Sequence, residues 1–214
     1  MVYFVICIIK KAIKMSKIIN QSSQNPNDKN YDKPKAYIFA GVNGAGKTTL
    51  YYDKLEQGKH FGLRINIDEI VSSFGDWREQ KDQFRASKIA LKIRTSYIAQ
   101  KQNFNQETTL CGKSIITLFD TLKKAGYEIY LYYVALNSVN LAKERVAMRV
   151  KKGGHNIKPH LIERRYVESL QNLKKITPLC EKVEIFDNSQ NTPNGTTSAF
   201  RKTTDMSYID SLLS

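Results

Sequence analysis

The 214-residue sequence predicts an α/β domain, a mostly parallel sheet with helices on both faces. Three observations carry this. Short β-branched and aromatic runs alternate with longer stretches of helical period. The composition is 41% hydrophobic and 25% charged, with 11 Gly and 5 Pro, which supports a buried core and excludes a disordered or low-complexity chain. A glycine-rich loop separates the first expected strand from the first helical stretch.

Taken in order, Val2–Ile9 is an apolar run of eight followed by Lys10, Lys11 and Lys14. A bilayer span needs roughly 20 apolar residues, so no membrane span is expected. Positive charge after the apolar stretch does not fit a secretory signal. Met15 begins a more ordinary polar opening, so the segment reads as an upstream extension; the other reading is a short element packed on the body. Gln21–Lys35, polar with Pro26 and Pro34, reads as a linker. The expected division is an extension and linker over 1–33, a domain over 34–189 and a tail over 190–214.

Lys35–Ala40 is a short apolar run ending at glycine and reads as a buried strand. A helix is expected over about 47–57, a strand over Leu63–Ile67 and a weaker strand over Asn103–Glu107. Between those strands, Phe84, Ile89, Ile93 and Tyr97 recur at helical spacing over about 82–102. Ile115, Leu118, Phe119 and Leu122 mark another helix, ended by Ala125-Gly126 as a C-cap. Glu128–Leu136 is the strongest strand, followed by helices near 141–152 and 161–175 that Gly153-Gly154 separates. Val183–Phe186 is expected to be the last strand, and Ile209, Leu212 and Leu213 a short closing helix. Tyr130, Tyr132 and Tyr133 fall in a strand and are expected in the core or at an edge.

The net charge of +14 and a pI near 9.6 favour anionic partners such as nucleotides, phosphorylated metabolites, nucleic acid or an acidic protein. Three distant cysteines (Cys7, Cys111, Cys180) without a CxxC pair exclude a disulfide framework or zinc ribbon and point to the reducing cytoplasm. His60, His155 and His160 lack zinc-ligand spacing, and His155 reads as a turn residue.

The chemistry begins at Gly41-Val42-Asn43-Gly44-Ala45-Gly46-Lys47-Thr48, which fits GxxxxGK[ST] at every fixed position and is followed by Thr49. Glycines let backbone N–H groups wrap phosphate oxygens, Lys47 adds a cation at the β and γ phosphates, and the Thr48 hydroxyl can ligate Mg²⁺. The helix that follows points its positive end at the same phosphates. With Gly near 7% of residues, such a match should arise by chance in about one chain of this length in a hundred, and the strand-loop-helix context lowers that further.

Ligands of open α/β sheets gather at the carboxyl ends of the strands. Asp68, Glu107 and Asp187 end the second, third and last expected strands, so three carboxylates could face the phosphate edge. Asp68 is the candidate general base that takes the acceptor's proton; its structural reading is a helix N-cap. Asp68-Glu69 also resembles the acidic pair of a Walker B strand. Leu141–Lys182 holds eleven Lys and Arg against four Glu, half of the chain's surplus. Arg145 and Arg149 lie one helical turn apart, and Arg164 and Arg165 open the next helix. Such arginines can stabilise a transferring phosphoryl group or simply form a solvated face.

Together AGVNGAGKTTL, NIDEI, FNQETTL, RVAMRVKKGGHNIKPHLIERRYVESLQNL and VEIFDNS resemble the zeta toxin family of P-loop kinases, closest to its short branch. The resemblance covers Pro34–Ser189 in family order. It implies a P-loop NTPase fold of the nucleotide-kinase kind, ATP with Mg²⁺, and phosphorylation of the 3′-hydroxyl of UDP-N-acetylglucosamine. It further implies that Asp68 is the base and that Glu107 and Thr109, with Thr108 between them, hold the sugar. Arg149 and Arg165 would clamp the transferring phosphate, with Arg164 as the alternative to Arg165. A small antitoxin that obstructs the nucleotide site is the implied partner, and an acidic one would suit this basic chain. One departure stands out: where better-characterised members read EGTLR, this chain reads Glu107-Thr108-Thr109-Leu110-Cys111. Cysteine supplies neither positive charge nor bidentate hydrogen bonds, so the sequence leaves the acceptor open. The rival readings are a polynucleotide kinase, which the charge favours, and a nucleotide-binding module without catalysis.

Overall fold

The computed structural model describes residues 32–154, 156–190, 200–203 and 206–213. The expectations for the N-terminal extension, most of the linker and His155 lie outside these residues. Among the described residues, no helix is long and apolar enough to cross a membrane.

Six strands form one sheet: β1 (Lys35–Ala40), β2 (Leu63–Ile65), β3 (Phe104–Thr108), β4 (Glu128–Ala135), β5 (Lys182–Asp187) and β6 (Arg201–Thr203), in the order β2-β3-β1-β4-β5-β6. The first five run parallel and β6 pairs antiparallel with β5. The helices are α1 (Lys47–Glu56), α2 (Ile67–Ser72), α3 (Gln80–Ala99), α4 (Lys113–Lys124), α5 (Val139–Lys151), α6 (Pro159–Ile176) and α7 (Ser207–Ser211). This is the α/β class expected from the sequence. The strand carrying the phosphate loop, β1, lies between β3 and β4, so Ala36–Ala40 are paired on both sides.

The core confirms the apolar periodicities in most places. Ile115, Leu118, Phe119 and Leu122 of α4 are all buried. Phe39 stacks on Tyr132 at 4.9 Å between ring centroids and meets Phe61 and Tyr51 edge-on. Tyr132 and Tyr133 are core residues, as expected; the Tyr133 hydroxyl pairs with Ser169 Oγ at 2.9 Å, and burial pushes the phenol well up. In α3 the buried face is carried by Ala86 and Ala90, whereas Phe84 is 62% exposed under the ammonium of Lys88. Small residues let the helix lie close to its neighbours, a signal that a search for large apolar side chains overlooks.

Two expectations need correction. The second strand ends at Ile65, because Asn66 turns the chain into α2. Its side-chain oxygen accepts from the backbone N–H groups of Asp68 and Glu69, so the cap is Asn66 and Asp68 sits inside the first helical turn. The last strand is β6 rather than β5. Lys202 and Lys182 both reach the buried Glu184 carboxylate, at 3.0 and 2.7 Å, and tie the edge strand to the sheet. Ile209 of α7 is fully buried, so the closing helix expected there packs into the same core.

Candidate active site

The phosphate loop leaves β1 at Gly41, where φ is +141° and a Cβ would lie 2.3 Å from the Val134 carbonyl oxygen. Only glycine fits there. The loop ends at Gly46, the N-cap of α1, where no side chain caps the helix; its first N–H groups and its positive end remain directed at the loop. The buried Val42 and Ala45 fix the loop from below, and Ala45 N–H donates to the Val42 carbonyl at 3.1 Å. Such a cradle of inward N–H groups fits the phosphates of a nucleotide.

The loop has a clamp that the sequence did not reveal. Asn188, buried at the end of β5, donates from Nδ2 to the Ala45 carbonyl at 2.8 Å. Asn188→Ala should leave that carbonyl unpaired and lower stability by about 1–3 kcal/mol. Denaturant unfolding and ATP titration would check this, with weakened ATP binding as the second expected result.

A cleft of about 530 Å³ opens over the loop. It brings together Asn43, Gly44, Gly46, Lys47, Thr48 and Thr49 with Asp68, with Glu107, Thr108 and Thr109, and with Arg145 and Arg149. Lys47 Nζ donates to the carbonyls of Gly41 and Val42, at 3.0 and 3.1 Å. Burial lowers the pKa of its ammonium below the ordinary value; Glu107 and Asp68 act in the opposite sense, and Arg149 reinforces the lowering.

The two cleft carboxylates differ in their commitments. Glu107 Oε2 accepts from Thr48 Oγ1 at 2.8 Å, while Oε1 accepts from Arg64 Nη2 at 2.6 Å and Asn66 Nδ2 at 3.1 Å. Asp68 is exposed, and among the described residues its carboxylate accepts no hydrogen bond. Arg64 also binds Glu69 Oε1 at 2.7 Å and stacks 3.7 Å from the Tyr51 ring centroid. This residue was missed because β2 and β3 are 38 residues apart in sequence and adjacent only in the sheet. The third expected carboxylate, Asp187, is not among the residues lining the cleft. It turns to Ser189 N–H and Arg201 and serves the β5–β6 edge.

The arginines divide. Arg145 and Arg149 share the face of α5 that borders the cleft. Arg165, in the second turn of α6, donates from Nη1 to Asn43 Oδ1 at 2.9 Å and so touches the phosphate loop. Neither Arg164 nor Arg165 is among the residues lining the cleft; both line an adjoining pocket, and only Arg165 reaches the loop, through Asn43. Gly154 explains part of the glycine pair: a Cβ there would lie 2.5 Å from Arg149 Cγ and 2.9 Å from the Arg149 carbonyl. Gly154→Ala should therefore displace Arg149, lowering kcat about tenfold or more with ATP affinity retained. Steady-state kinetics beside a melting curve would check it, since overpacking of this kind costs about 1–3 kcal/mol.

Known proteins resemble this chain in sequence and in fold. The family model for Zeta toxin matches residues 20–205. A protein of Haemophilus influenzae described as uncharacterized is 31% identical over 132 residues, covering 62% of this chain and 92% of the relative. Among solved structures, a chain from the PezAT chromosomal toxin-antitoxin system of Streptococcus pneumoniae matches with a TM-score of 0.58 and 19% identity, covering 94% of this chain and 86% of that one. The AvrRxo1-ORF1:-ORF2 complex matches with a TM-score of 0.61 and 14% identity, over 85% and 64% of the two chains. At these identities the structural likeness shows the fold, and the family match carries the assignment: the chain belongs to the zeta toxin family and is an ATP-dependent phosphotransferase.

Proposed function

We propose that the domain over 34–189 transfers the γ-phosphate of ATP to a hydroxyl of a small molecule, a UDP-amino sugar such as UDP-N-acetylglucosamine. The observation that carries this reading is the contrast between the two cleft carboxylates. Glu107 is held on both oxygens, whereas the Asp68 carboxylate accepts no hydrogen bond among the described residues and borders the same cleft as Lys47. Asp68 takes the proton of the acceptor hydroxyl as its oxygen forms the bond to the γ-phosphorus and the bond to the ADP oxygen breaks. Arg149 and Arg165 stabilise charge on the transferring group, Arg165 being preferred to Arg164 by its contact with Asn43.

The Thr48 hydroxyl and the Glu107 carboxylate, already 2.8 Å apart, are hard oxygen donors that fit Mg²⁺. When bound, the ion supplies neutralising charge for the β and γ oxygens. Thr109 sits on the acceptor side and Thr108, whose Oγ1 accepts from Leu110 N–H at 3.0 Å, shapes the turn beside it. A small acidic antitoxin is the partner that suits the +14 charge, in keeping with the toxin-antitoxin system of the pneumococcal relative. The test is mass spectrometry of products after incubation with Mg²⁺-ATP and a mixture of UDP-sugars. A phosphate added to UDP-N-acetylglucosamine supports the reading; ATP binding with no phosphorylated sugar rejects this acceptor.

A further inference from the structure

Arg64 stands opposite Asn105 in the parallel β2–β3 register, and Glu107 follows two residues further along β3. Side chains alternate across a strand, so Asn105 and Glu107 project from the same face of the sheet as Arg64. All three guanidinium nitrogens are used there. Nη1 donates to Asn105 Oδ1 at 3.2 Å, Nη2 to Glu107 Oε1 at 2.6 Å and Nε to Glu69 Oε1 at 2.7 Å. The guanidinium lies over the Tyr51 ring of α1, and Asn105, itself fully buried, is held by the Phe61 carbonyl at 3.2 Å. The fork is thereby fixed from the strand side and from α1.

Two of these contacts join parts of the site that act separately in the transfer. Glu107 belongs to β3 and reaches the Thr48 hydroxyl, whereas Glu69 belongs to α2 and follows Asp68. Asn66 makes a second link: Nδ2 donates to Glu107 Oε1 at 3.1 Å, while Oδ1 accepts from the Asp68 and Glu69 N–H groups. The helix depends on such links. α2 has six residues and buries one side chain, Val71, so it has little stability of its own and few apolar contacts to define its place. The Glu69 side chain is 48% exposed, and an ion pair at that exposure adds little to stability. What the Arg64–Glu69 bond supplies is direction, because a planar donor already fixed elsewhere admits few placings of the carboxylate.

We infer that Arg64 is a positioning residue for phosphoryl transfer: it sets the helix that carries Asp68 relative to Glu107, with Glu69 as the arm through which it acts and Asn66 as the second strut. This rests on the reading of Asp68 as the base and Glu107 as the carboxylate beside Thr48. It adds that one shared guanidinium places both, so the two carboxylates are not independent parts of the site. Charge alone does not do this work; the fork does.

The test uses the full chain and changes Glu69, which is exposed, so that neither variant disturbs the core. With Mg²⁺-ATP and UDP-N-acetylglucosamine, Glu69→Ala should lower kcat about tenfold and leave KM for ATP within about twofold, because the base is misplaced and the phosphate loop is untouched. Glu69→Gln keeps an oxygen for Arg64 Nε and should stay within about threefold of wild type. Added to Asp68→Asn, Glu69→Ala should cost nothing further, since no base is left to place. Arg64→Lys keeps the charge without the fork and should lose at least as much as Glu69→Ala; the Glu69 variants carry the test if it does not fold. Hydrogen exchange reads the placing without turnover. The amides of Ile70, Ser73 and Gly75, bonded to carbonyls of Asn66, Ile70 and Val71, should exchange about tenfold faster in Glu69→Ala, with β1 and β4 unchanged. Near-wild-type kcat in Glu69→Ala, equal losses in its alanine and glutamine variants, a loss that multiplies fully with that of Asp68→Asn, or unchanged exchange in α2 would overturn the inference. Asp68→Asn that keeps its activity would instead remove the base, and wild-type protein that leaves the sugar unphosphorylated would remove the acceptor. Exchange in α2 then decides the inference alone.

Discussion

Asp68→Asn should lower the rate of phosphoryl transfer by about 10²–10⁴ while leaving ATP affinity within about twofold. The reason lies in how the residue is held. Its backbone N–H is fixed by the Asn66 cap, and Ser72 Oγ donates to its carbonyl at 2.8 Å, so the side chain has a defined origin on α2. Neither contact uses the carboxylate, and the amide replacement keeps both. The substitution removes a negative charge from the first turn of α2, worth about 0.3–1 kcal/mol, which is too little to unfold the domain. Loss of transfer with retained ATP binding and an intact melting transition would therefore report the proton acceptor itself. Near-wild-type transfer by Asp68→Asn would sink the assignment of the base.

Glu107 provides the contrast that makes this specific. Removing its carboxylate leaves the half-buried Arg64 guanidinium without its 2.6 Å partner and frees the Thr48 hydroxyl, so both stability and turnover should suffer. A variant that loses both quantities marks a positioning carboxylate; one that loses turnover alone marks a base.

What could be read from the sequence follows from the range of the interactions concerned. The phosphate loop is contiguous, and its glycines, lysine and threonine state their chemistry in eight residues. The buried strands state theirs by β-branched and aromatic content, and α4 by a regular apolar stripe. The features that escaped are nonlocal. Arg64 reaches Glu107 across a strand pair, Asn188 clamps Ala45 over 143 positions, and Arg165 meets Asn43 over 122. No periodicity encodes such pairs. Asn66 was within reach, since an Asn before Ile67-Asp68-Glu69 is a cap signal that the apolar strand pattern of LRINI outweighed. Phe84 shows the opposite error, an aromatic at the right spacing on the wrong side of a helix whose inner face is alanine.

Lys47→Ala is the other large expected effect, and its signature is a divergence between activity and stability. Loss of a preorganised cation at the transferring phosphate should lower kcat by about 10²–10³ and weaken ATP binding. Stability should move the other way. Burial holds the Lys47 ammonium below its ordinary pKa of 10.5, so between that lowered value and 10.5 the unfolded chain binds more protons than the folded one. Stability of the wild type must then rise with pH across that window. Alanine removes the buried charge, so the variant should be the more stable protein at neutral pH, and the difference should close as pH climbs past 10.5. Glu107 does not reverse this, because Arg64 and Asn66 still compensate its carboxylate when Lys47 is gone. Urea unfolding of both proteins from pH 7 upward, beside ATP titrations, distinguishes the outcomes. A variant that is inactive and also less stable at neutral pH would mean that the two hydrogen bonds from Lys47 to the loop carbonyls hold the cradle in shape. The lysine would then be a structural part of the site as well as its charge.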